Sequence, residues 1–352
     1  MKKELLIGTA LVSTLGAASV AEAVTMSMSG NHQTGVEFDS PSGGSDSRAQ
    51  INDNNFSLSL SETTDGGITI SSSMAVVNEV SSGTGTDMDA GFSLAFTDGS
   101  KLDVLNAGNA SGSHDISIPG SAGSEGVTVT TANRAPTGLD FAVGSTVYGV
   151  EYHTAADFLM DGLTMSFSAS TDNGAATSGT WKNDGHIAVG ATYVTTAGDS
   201  TVTIGTGLSE TEGAINTTSP TTEEGSFHFG ISAVTGDLTV AVGFADGDDI
   251  QSTTAGSADT EVDGEVMKAG VKYVSGDLTF NVGVVAGTGK DGSFGTAGTT
   301  EDSYDKTSAS VSYAVASGVT AILGYSDVDS SNDGVSDTTD GSAWYIGANM
   351  AF

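Results

Sequence analysis

The chain of 352 residues lacks cysteine altogether, contains only four prolines, and sets ten lysines and arginines against 44 aspartates and glutamates. The absence of cysteine excludes disulfide bonds and cysteine–zinc sites. The net charge of −34 excludes a nucleic-acid binder, because such proteins need a basic surface. The prolines all fall between the predicted strands, where they remove no hydrogen bond from a sheet: Pro41, Pro119, Pro136 and Pro220.

Long apolar runs are also lacking after the first 23 residues. Met1-Lys2-Lys3 is a short basic segment, residues 5–20 are mainly apolar, and Ala21-Glu22-Ala23 matches a small-residue cleavage site. This order predicts a signal peptide over residues 1–23 and export through the Sec pathway. No later stretch is long enough to be a membrane-spanning helix, but a spanning barrel alternates apolar and polar residues and would escape such a search.

Glycine is abundant, with 49 residues, and the remaining chain is rich in Ser, Thr and Val, a composition typical of strands joined by tight turns. Apolar and polar residues alternate along many short segments, as from Leu238 to Phe244, which predicts strands with one apolar face. Sixteen candidate strands lie near residues 24–38, 54–62, 67–77, 89–97, 100–106, 142–153, 162–171, 185–196, 199–209, 225–235, 237–245, 264–275, 277–286, 304–316, 318–327 and 341–352. The segment Val127–Thr131 also alternates, so eighteen strands are possible.

The connections between these strands alternate in length. Most of those after even-numbered strands are short turns such as Gly236-Asp237 and Gly276-Asp277, whereas those after odd-numbered strands are long and rich in Gly, Ser, Thr and Asp. Bacterial outer-membrane barrels are organised in this way. The sequence therefore predicts an all-β fold: a transmembrane antiparallel β-barrel over residues 24–352, with short periplasmic turns and long extracellular loops.

The polar face of the predicted strands consists mainly of Gly, Ser, Thr and Ala, which are too small to fill a close-packed soluble core. We therefore expect the polar face to line a wet lumen and the apolar face to meet lipid. Tyr193, Tyr273 and Tyr313 lie on the apolar face near short turns, as in an interfacial aromatic girdle, although ordinary strand tyrosines would show the same pattern. His32 falls on the apolar face and is an exception.

The last strand, Trp344-Tyr-Ile-Gly-Ala-Asn-Met-Ala-Phe352, alternates to a terminal phenylalanine. With the signal peptide and the strand and loop rhythm of residues 24–352, it makes the sequence resemble the Gram-negative general porins of the alphaproteobacterial type. The resemblance implies a sixteen-stranded, usually homotrimeric barrel in the outer membrane, which passes small hydrophilic solutes by passive diffusion. It also implies that the barrel-assembly machinery reads an assembly signal in the last strand: Trp344, Ile346, Met350 and Phe352.

The resemblance further implies that the third long loop, residues 107–141, folds into the barrel and narrows it. Facing acidic and basic groups there would select solutes by charge and size. The candidate constriction residues of the loop are His114, Asp115, Glu125, Arg134 and Asp140. Candidates for an opposing basic wall are Lys101, Lys268, Lys272 and Lys306. A surface position for the loop, and lysines that are solvated without selecting, are the alternatives.

Acidic residues concentrate in the long loops, which favours cations at the channel entrance. A solvated, repelling rim explains them, and Ca²⁺ binding is an alternative because oxygen-rich loops suit this ion. The candidate calcium ligands are Asp327, Asp329, Asp333 and Asp337. Apart from Ca²⁺ we expect no cofactor, and the alternative function is a structural or adhesive surface β-protein with Ca²⁺-stabilised acidic loops and no open pore.

Motifs for catalysis are missing. The five histidines are dispersed, and the sequence contains no nucleophile elbow, zincin helix or phosphate-binding loop. We therefore expect no enzymatic activity, although a Ser/His/Asp set assembled by folding cannot be read from the sequence.

Overall fold

The computed structural model describes residues 24–42, 44–77, 91–105, 107–120, 149–171, 185–212, 222–251, 260–290, 301–331 and 340–352. The predicted signal peptide 1–23 and the alternating segment 127–131 lie outside these ranges. No helix long and apolar enough to cross a membrane occurs among the described residues. The sixteen strands are β1 (Thr25–Pro41), β2 (Ser47–Thr63), β3 (Thr69–Val77), β4 (Phe92–Ala95), β5 (Lys101–Val104), β6 (Val150–His153), β7 (Leu163–Thr171), β8 (Gly185–Ala197), β9 (Ser200–Glu212), β10 (Thr222–Thr235), β11 (Leu238–Gln251), β12 (Thr260–Ser275), β13 (Leu278–Lys290), β14 (Glu301–Ala316), β15 (Val319–Ser331) and β16 (Gly341–Ala351).

Each strand pairs with the next one along the chain, and β16 returns to pair with β1, so that the sheet closes into an antiparallel barrel. The prediction of a sixteen-stranded barrel is therefore confirmed. The alternative of eighteen strands is wrong, because β5 pairs directly with β6, for example through Leu102 and Tyr152, and no strand stands between them. Alternation over five residues can predict an extended segment, but it does not by itself predict that the segment is a strand of the barrel.

Several strands extend further toward the long-loop end than the sequence predicts. β2 begins at Ser47, β11 continues to Gln251, and Pro41 is the last residue of β1 and does not lie in a loop. Apolar alternation stops at the edge of the lipid layer, but the hydrogen-bonded ladder needs no apolar face and continues above it. A proline at the very end of a strand removes no hydrogen bond from the interior of the ladder.

The two faces of the wall have the polarity that the sequence predicts. On β16 the outward side chain of Trp344 is 51% exposed, whereas the inward Tyr345 is fully buried. Large exposed apolar residues occupy the outward positions around the ring, and Ser, Gly and other small residues occupy many inward ones. The inward face is not uniformly polar, however, because β11–β16 carry a buried apolar cluster there: Ala245, Val266, Val285, Tyr304, Val328, Ala343 and Tyr345.

Candidate pore constriction

The connection after β5 turns inward and follows the inner wall of the barrel. Leu105, directly after β5, has a φ of 62°, a left-handed conformation that is uncommon for a residue with a side chain. Residues 107–120 then contact inward positions of β7, β8, β9, β10, β12, β13 and β14. We call residues 107–120 the loop segment; residues 121–141 of the predicted constriction loop, with Glu125, Arg134 and Asp140, lie outside the described residues.

Two residues of the wall hold the start of the loop segment. Glu151 on β6 accepts a hydrogen bond of 2.6 Å from the hydroxyl of Ser113 and one of 3.4 Å from the backbone N–H of Gly108. Ser168 on β7 accepts a hydrogen bond from the N–H of Ala110 at 3.0 Å and donates one to the carbonyl oxygen of Gly108 at 2.8 Å. Buried backbone groups of the loop segment are thus satisfied by side chains of the strands.

His114 ends a short 3-10 turn, Gly112–His114, and points into the wall. Its Nδ1 lies 2.7 Å from the hydroxyl oxygen of Thr192, and its Nε2 lies 2.8 Å from that of Ser166. Burial, and secondarily the proximity of His153 and His228, lowers the pKa of His114 from 6.5 to about 4. The imidazole is therefore neutral at neutral pH and serves as a hydrogen-bonding anchor.

Asp115, the next residue, faces the opposite direction along the wall toward β10 and β12. Its Oδ1 lies 3.1 Å from Nε2 of His228, a histidine of β10 that is fully buried. The same Nε2 lies 2.9 Å from the carbonyl oxygen of Ser111. Asp115 is also close enough to Lys268 of β12 to attract its ammonium group.

Glycines of the wall leave the space in which the backbone of the loop segment runs. A Cβ at Gly190 would overlap the carbonyl oxygen of Ala110, and a Cβ at Gly270 would overlap that of Pro119. The wall glycines that touch the loop segment are Gly190, Gly205, Gly207, Gly230, Gly270 and Gly283. The sequence suggested that these small residues line a wet lumen. They also form the surface on which the loop segment packs.

The second half of the loop segment is held by apolar contacts and a further hydrogen bond. Ile116 and Ile118 pack with Ala241 of β11 in a small buried cluster. The hydroxyl of Ser308 on β14 donates a hydrogen bond to the carbonyl oxygen of Gly120. These contacts lie on the side of the barrel opposite Glu151 in strand order, so the loop segment runs along a large arc of the wall.

The four predicted wall lysines do not form one surface. Lys101 on β5 makes an ion pair of 2.7 Å with Asp103 of the same strand. Lys268 is only 3% exposed, and it shares a row of the sheet with Lys306, since both are ladder partners of Val285. Lys272, four residues nearer the periplasmic end of β12, is exposed. Three lysines therefore lie on β12–β14 and one on β5.

A chain of hydrogen bonds joins the loop segment to the wall at β5–β7. His153 Nε2 lies 2.9 Å from an oxygen of Asp103, and its Nδ1 lies 2.8 Å from the hydroxyl of Ser166, which also contacts His114. The order Asp103–His153–Ser166 resembles a catalytic triad. However, Ser166 is only 1% exposed and is enclosed between two imidazoles, so its oxygen has no space for a substrate carbonyl. The arrangement fits a structural anchor.

Sequence reasoning did not single out Glu151 and His228, which hold the loop segment. A weak signal was present: His228 alternates with Phe227 and Phe229, so its inward position could be read from the strand pattern. Their contacts with the loop segment could not be read, because the contact partners are 38 to 117 residues away in the chain.

The acidic residues suggested for Ca²⁺ lie on the outer surface of β15, where this strand is described. Asp327 and Asp329 are exposed, and Asp327 accepts a hydrogen bond of 3.1 Å from the hydroxyl of Tyr325. Asp333 and Asp337 lie outside the described residues. Within the described part of the chain no group of three acidic, His or Cys side chains could hold a metal ion. Calcium binding stays a prediction.

The predicted assembly residues all take outward positions at the seam where the barrel closes. The ring of Trp344 packs against that of Tyr325 in a tilted arrangement, with a centroid distance of 4.6 Å and an interplanar angle of 48°. Phe352 exchanges two backbone hydrogen bonds of 3.0 Å with Gly30 of β1, and its ring lies 6.3 Å from that of Phe56. Ile346 and Met350 are exposed on the same outer face. The last residue thus ties the end of the chain to its first strand.

A closed barrel with an apolar outer surface and a loop fixed to its inner wall defines an outer-membrane channel. The chain belongs to the Gram-negative porin family, whose model matches residues 8–333. This confirms the resemblance inferred from the sequence and gives the outer membrane as the location of the protein.

Solved porin structures share the fold of this chain. A refined porin structure is 19% identical and has a TM-score of 0.64, with 93% of this chain and 100% of that chain covered. The anion-selective porin from Comamonas acidovorans is 12% identical, with a TM-score of 0.65 and coverage of 94% and 100%. The trimer form of OmpT from Vibrio cholerae is 13% identical, with a TM-score of 0.64 and the same coverage of 94% and 100%. No curated protein matches the chain significantly.

Proposed function

We propose that the protein forms a water-filled channel through which small hydrophilic solutes diffuse passively, and that the 107–141 loop sets its width. The observation that carries this proposal is the attachment of the loop segment to the inner wall by Glu151, Ser168, His228 and the wall glycines. A loop in this position reduces the cross-section of the lumen while the ring of strands stays closed.

The proposed channel prefers cations. Residues 24–352 carry the entire net charge of −34, because Lys2 and Lys3 balance Glu4 and Glu22 in the first 23 residues. Lys101 is paired with Asp103, and Lys268 is buried beside Asp115, whereas Lys272 is exposed on the inward face. Carboxylates also occupy inward positions: Asp103 and Asp115 are partly exposed, whereas Glu37, Asp39 and Glu151 are buried.

We further propose that the channel is a homotrimer, in keeping with the similar OmpT structure described as a trimer form. The proposal includes export through the Sec pathway, insertion by the barrel-assembly machinery through the terminal strand, contact with outer-membrane lipid, and the absence of enzymatic activity. The enclosed position of Ser166 supports the last point.

The test is single-channel conductance of the purified protein in a planar bilayer, with the reversal potential measured across a KCl gradient. Steady steps in groups of three, with a reversal potential that favours K⁺, are expected. Steps that favour Cl⁻ would keep the channel and contradict the cation preference. Folded protein that gives no conductance would contradict the channel and favour a structural barrel.

A further inference from the structure

One connection at the periplasmic end of the barrel differs from the other turns there. Four of those turns consist of two small or polar residues: Gly198-Asp199, Gly236-Asp237, Gly276-Asp277 and Ser317-Gly318. Residues 154–162, between β6 and β7, form a longer connection, which we call the β6–β7 turn. Its consecutive side chains Phe158, Leu159 and Met160 are all exposed. No other connection at this end carries an exposed large apolar side chain in the part of the chain that the structure describes.

Hydrogen bonds give the β6–β7 turn a defined backbone. The N–H of Phe158 donates to the carbonyl oxygen of Leu163 at 3.0 Å, and the N–H of Leu163 donates to that of Met160 at 3.2 Å. The carboxylate of Asp157 accepts a hydrogen bond of 2.6 Å from the N–H of Gly162. The three apolar side chains are therefore held at the surface by an ordered turn.

The backbone of this turn is unfavourable for the residues that it contains. Asp157 has a φ of 61° and Leu159 a φ of 68°, whereas the two-residue turns place glycine in this left-handed region, as at Gly198 and Gly276. Glycine adopts it at little cost because it has no Cβ, and leucine does not. Leu159 is also 80% exposed, so its side chain gains little from the rest of the chain. Contact with something outside the chain accounts for an apolar side chain in such a position.

The barrel wall next to the turn identifies what that contact is. Tyr152 on β6 and Phe167 on β7 are exposed at outward positions. Leu163, the first residue of β7, is the ladder partner of Tyr193, which lies on the same apolar face. The β6–β7 turn therefore continues the apolar outer belt at its periplasmic edge, where the belt of such barrels meets the lipid head groups.

We infer that the β6–β7 turn inserts Phe158, Leu159 and Met160 into the periplasmic leaflet of the outer membrane, where head groups meet acyl chains. Moving these side chains out of water is favourable, and the hydrated head-group region accommodates the flanking carboxylates of Asp157 and Asp161. The two-residue turns, which carry no such side chains, end in water. The inference rests on the proposed contact of the outward face with lipid and adds one turn of the rim to that contact.

Fluorescence quenching by labelled lipids tests this inference, because the chain contains no cysteine that would compete for the dye. Leu159→Cys is labelled with a small polarity-sensitive maleimide, and the full-length, folded protein is reconstituted into phosphatidylcholine vesicles. Some vesicles carry a nitroxide on the acyl chain close to the head group. Asp277→Cys, exposed in the β12–β13 turn, is the matched control, and Val282→Cys, exposed and outward on β13, reports contact of the wall with lipid. Met160→Cys is a second test position in case Leu159→Cys does not fold.

We expect the lipid nitroxide to quench the dye at position 159 at least about three times as strongly as the dye at position 277, because apolar segments at this boundary lie about 5–10 Å deep. The emission at position 159 should also shift to the blue. Quenching equal to that at position 277, with strong quenching at position 282, would overturn the inference alone. A dye at position 159 that is shielded in native outer membranes but stays in water in the vesicles would assign the turn to a protein partner and overturn it as well. Weak quenching at position 282 would contradict the contact of the wall with lipid, on which the inference rests.

Discussion

Nε2 of His228 on β10 lies 3.1 Å from Oδ1 of Asp115 and 2.9 Å from the carbonyl oxygen of Ser111, so one buried imidazole holds two residues of the loop segment. The three other principal anchors, Glu151, Ser166 and Ser168, lie on β6 and β7. The loop segment is thus fixed at both sides of its 3-10 turn, and loss of an anchor on either side should loosen it.

His228→Ala is expected to free the loop segment on the β10 side. Removing one partner of a charged hydrogen-bonded pair costs about 1.5–3 kcal/mol, and here the loss falls on loop docking. The open-channel current should become noisier and its mean should change. Asn281→Ala, which removes an inward side chain that donates a hydrogen bond to Ser310, should leave both unchanged. Identical traces for His228→Ala and wild type would contradict the anchoring role.

Asp115→Asn should reduce the preference for cations without changing the volume of the side chain. A unit charge contributes about 1 kcal/mol at 4 Å in water, with opposite sign for K⁺ and Cl⁻, which corresponds to at most roughly a thirtyfold change in the K⁺/Cl⁻ permeability ratio. The reversal potential across a KCl gradient reports this ratio. Asp305→Asn, an exposed change on the outside of β14, is the control. An unchanged ratio in Asp115→Asn would place the ion path away from the loop segment.

Acidification should weaken loop docking through His114. Because its pKa falls from 6.5 to about 4 on folding, the undocked imidazole takes up a proton first as the pH decreases. Docking is therefore fully favoured above pH 6.5 and is progressively lost as the pH falls toward 4. Current fluctuations measured at several pH values should increase across this window.

His114→Gln separates this effect from other titrations. Glutamine can still form hydrogen bonds with Thr192 and Ser166 but does not titrate, so fluctuations should become less dependent on pH between 6.5 and 4. The groups that remain nearby are Asp103, Asp115, Glu151, His153 and His228. If the variant keeps the full pH dependence, one of these groups is responsible instead.

Two glycines of β8 provide a matched test of whether the loop segment needs small residues on the wall beneath it. An added Cβ at Gly190 would overlap the carbonyl oxygen of Ala110, whereas one at Gly185 would meet nothing within 4 Å. Overpacking of this kind typically costs about 1–3 kcal/mol. Gly190→Ala should therefore change single-channel conductance, and Gly185→Ala should not. Equal conductance of the two variants would show that the wall can accommodate a Cβ at Gly190 without displacing the loop segment.

The sequence was most informative where one physical rule acts along the chain. Alternation with a period of two predicted the sixteen strands and the outward position of residues such as Trp344, because lipid and lumen impose opposite polarity on successive side chains. It could not predict that the inward glycines receive the loop segment. Gly190 and Ala110 are brought together by the closure of the barrel, and small residues suit a wet lumen and a packed backbone equally well.

The terminal residue offers a test of assembly as distinct from stability. Phe352 contributes two backbone hydrogen bonds to Gly30, which any residue would keep, and a ring contact with Phe56 at the edge of the sheet. Its side chain is 69% exposed on the outer face, so Phe352→Ala should change the unfolding midpoint of the purified, folded barrel only slightly. If the terminal strand is the assembly signal, the same substitution should sharply lower the amount of folded protein in the outer membrane of producing cells.

Phe280→Ala, at an exposed outward position of β13, is the control for loss of an aromatic side chain in general. Equal yields of folded Phe352→Ala and wild type would contradict the assembly role, because the retained backbone pairing would then suffice to close the ring.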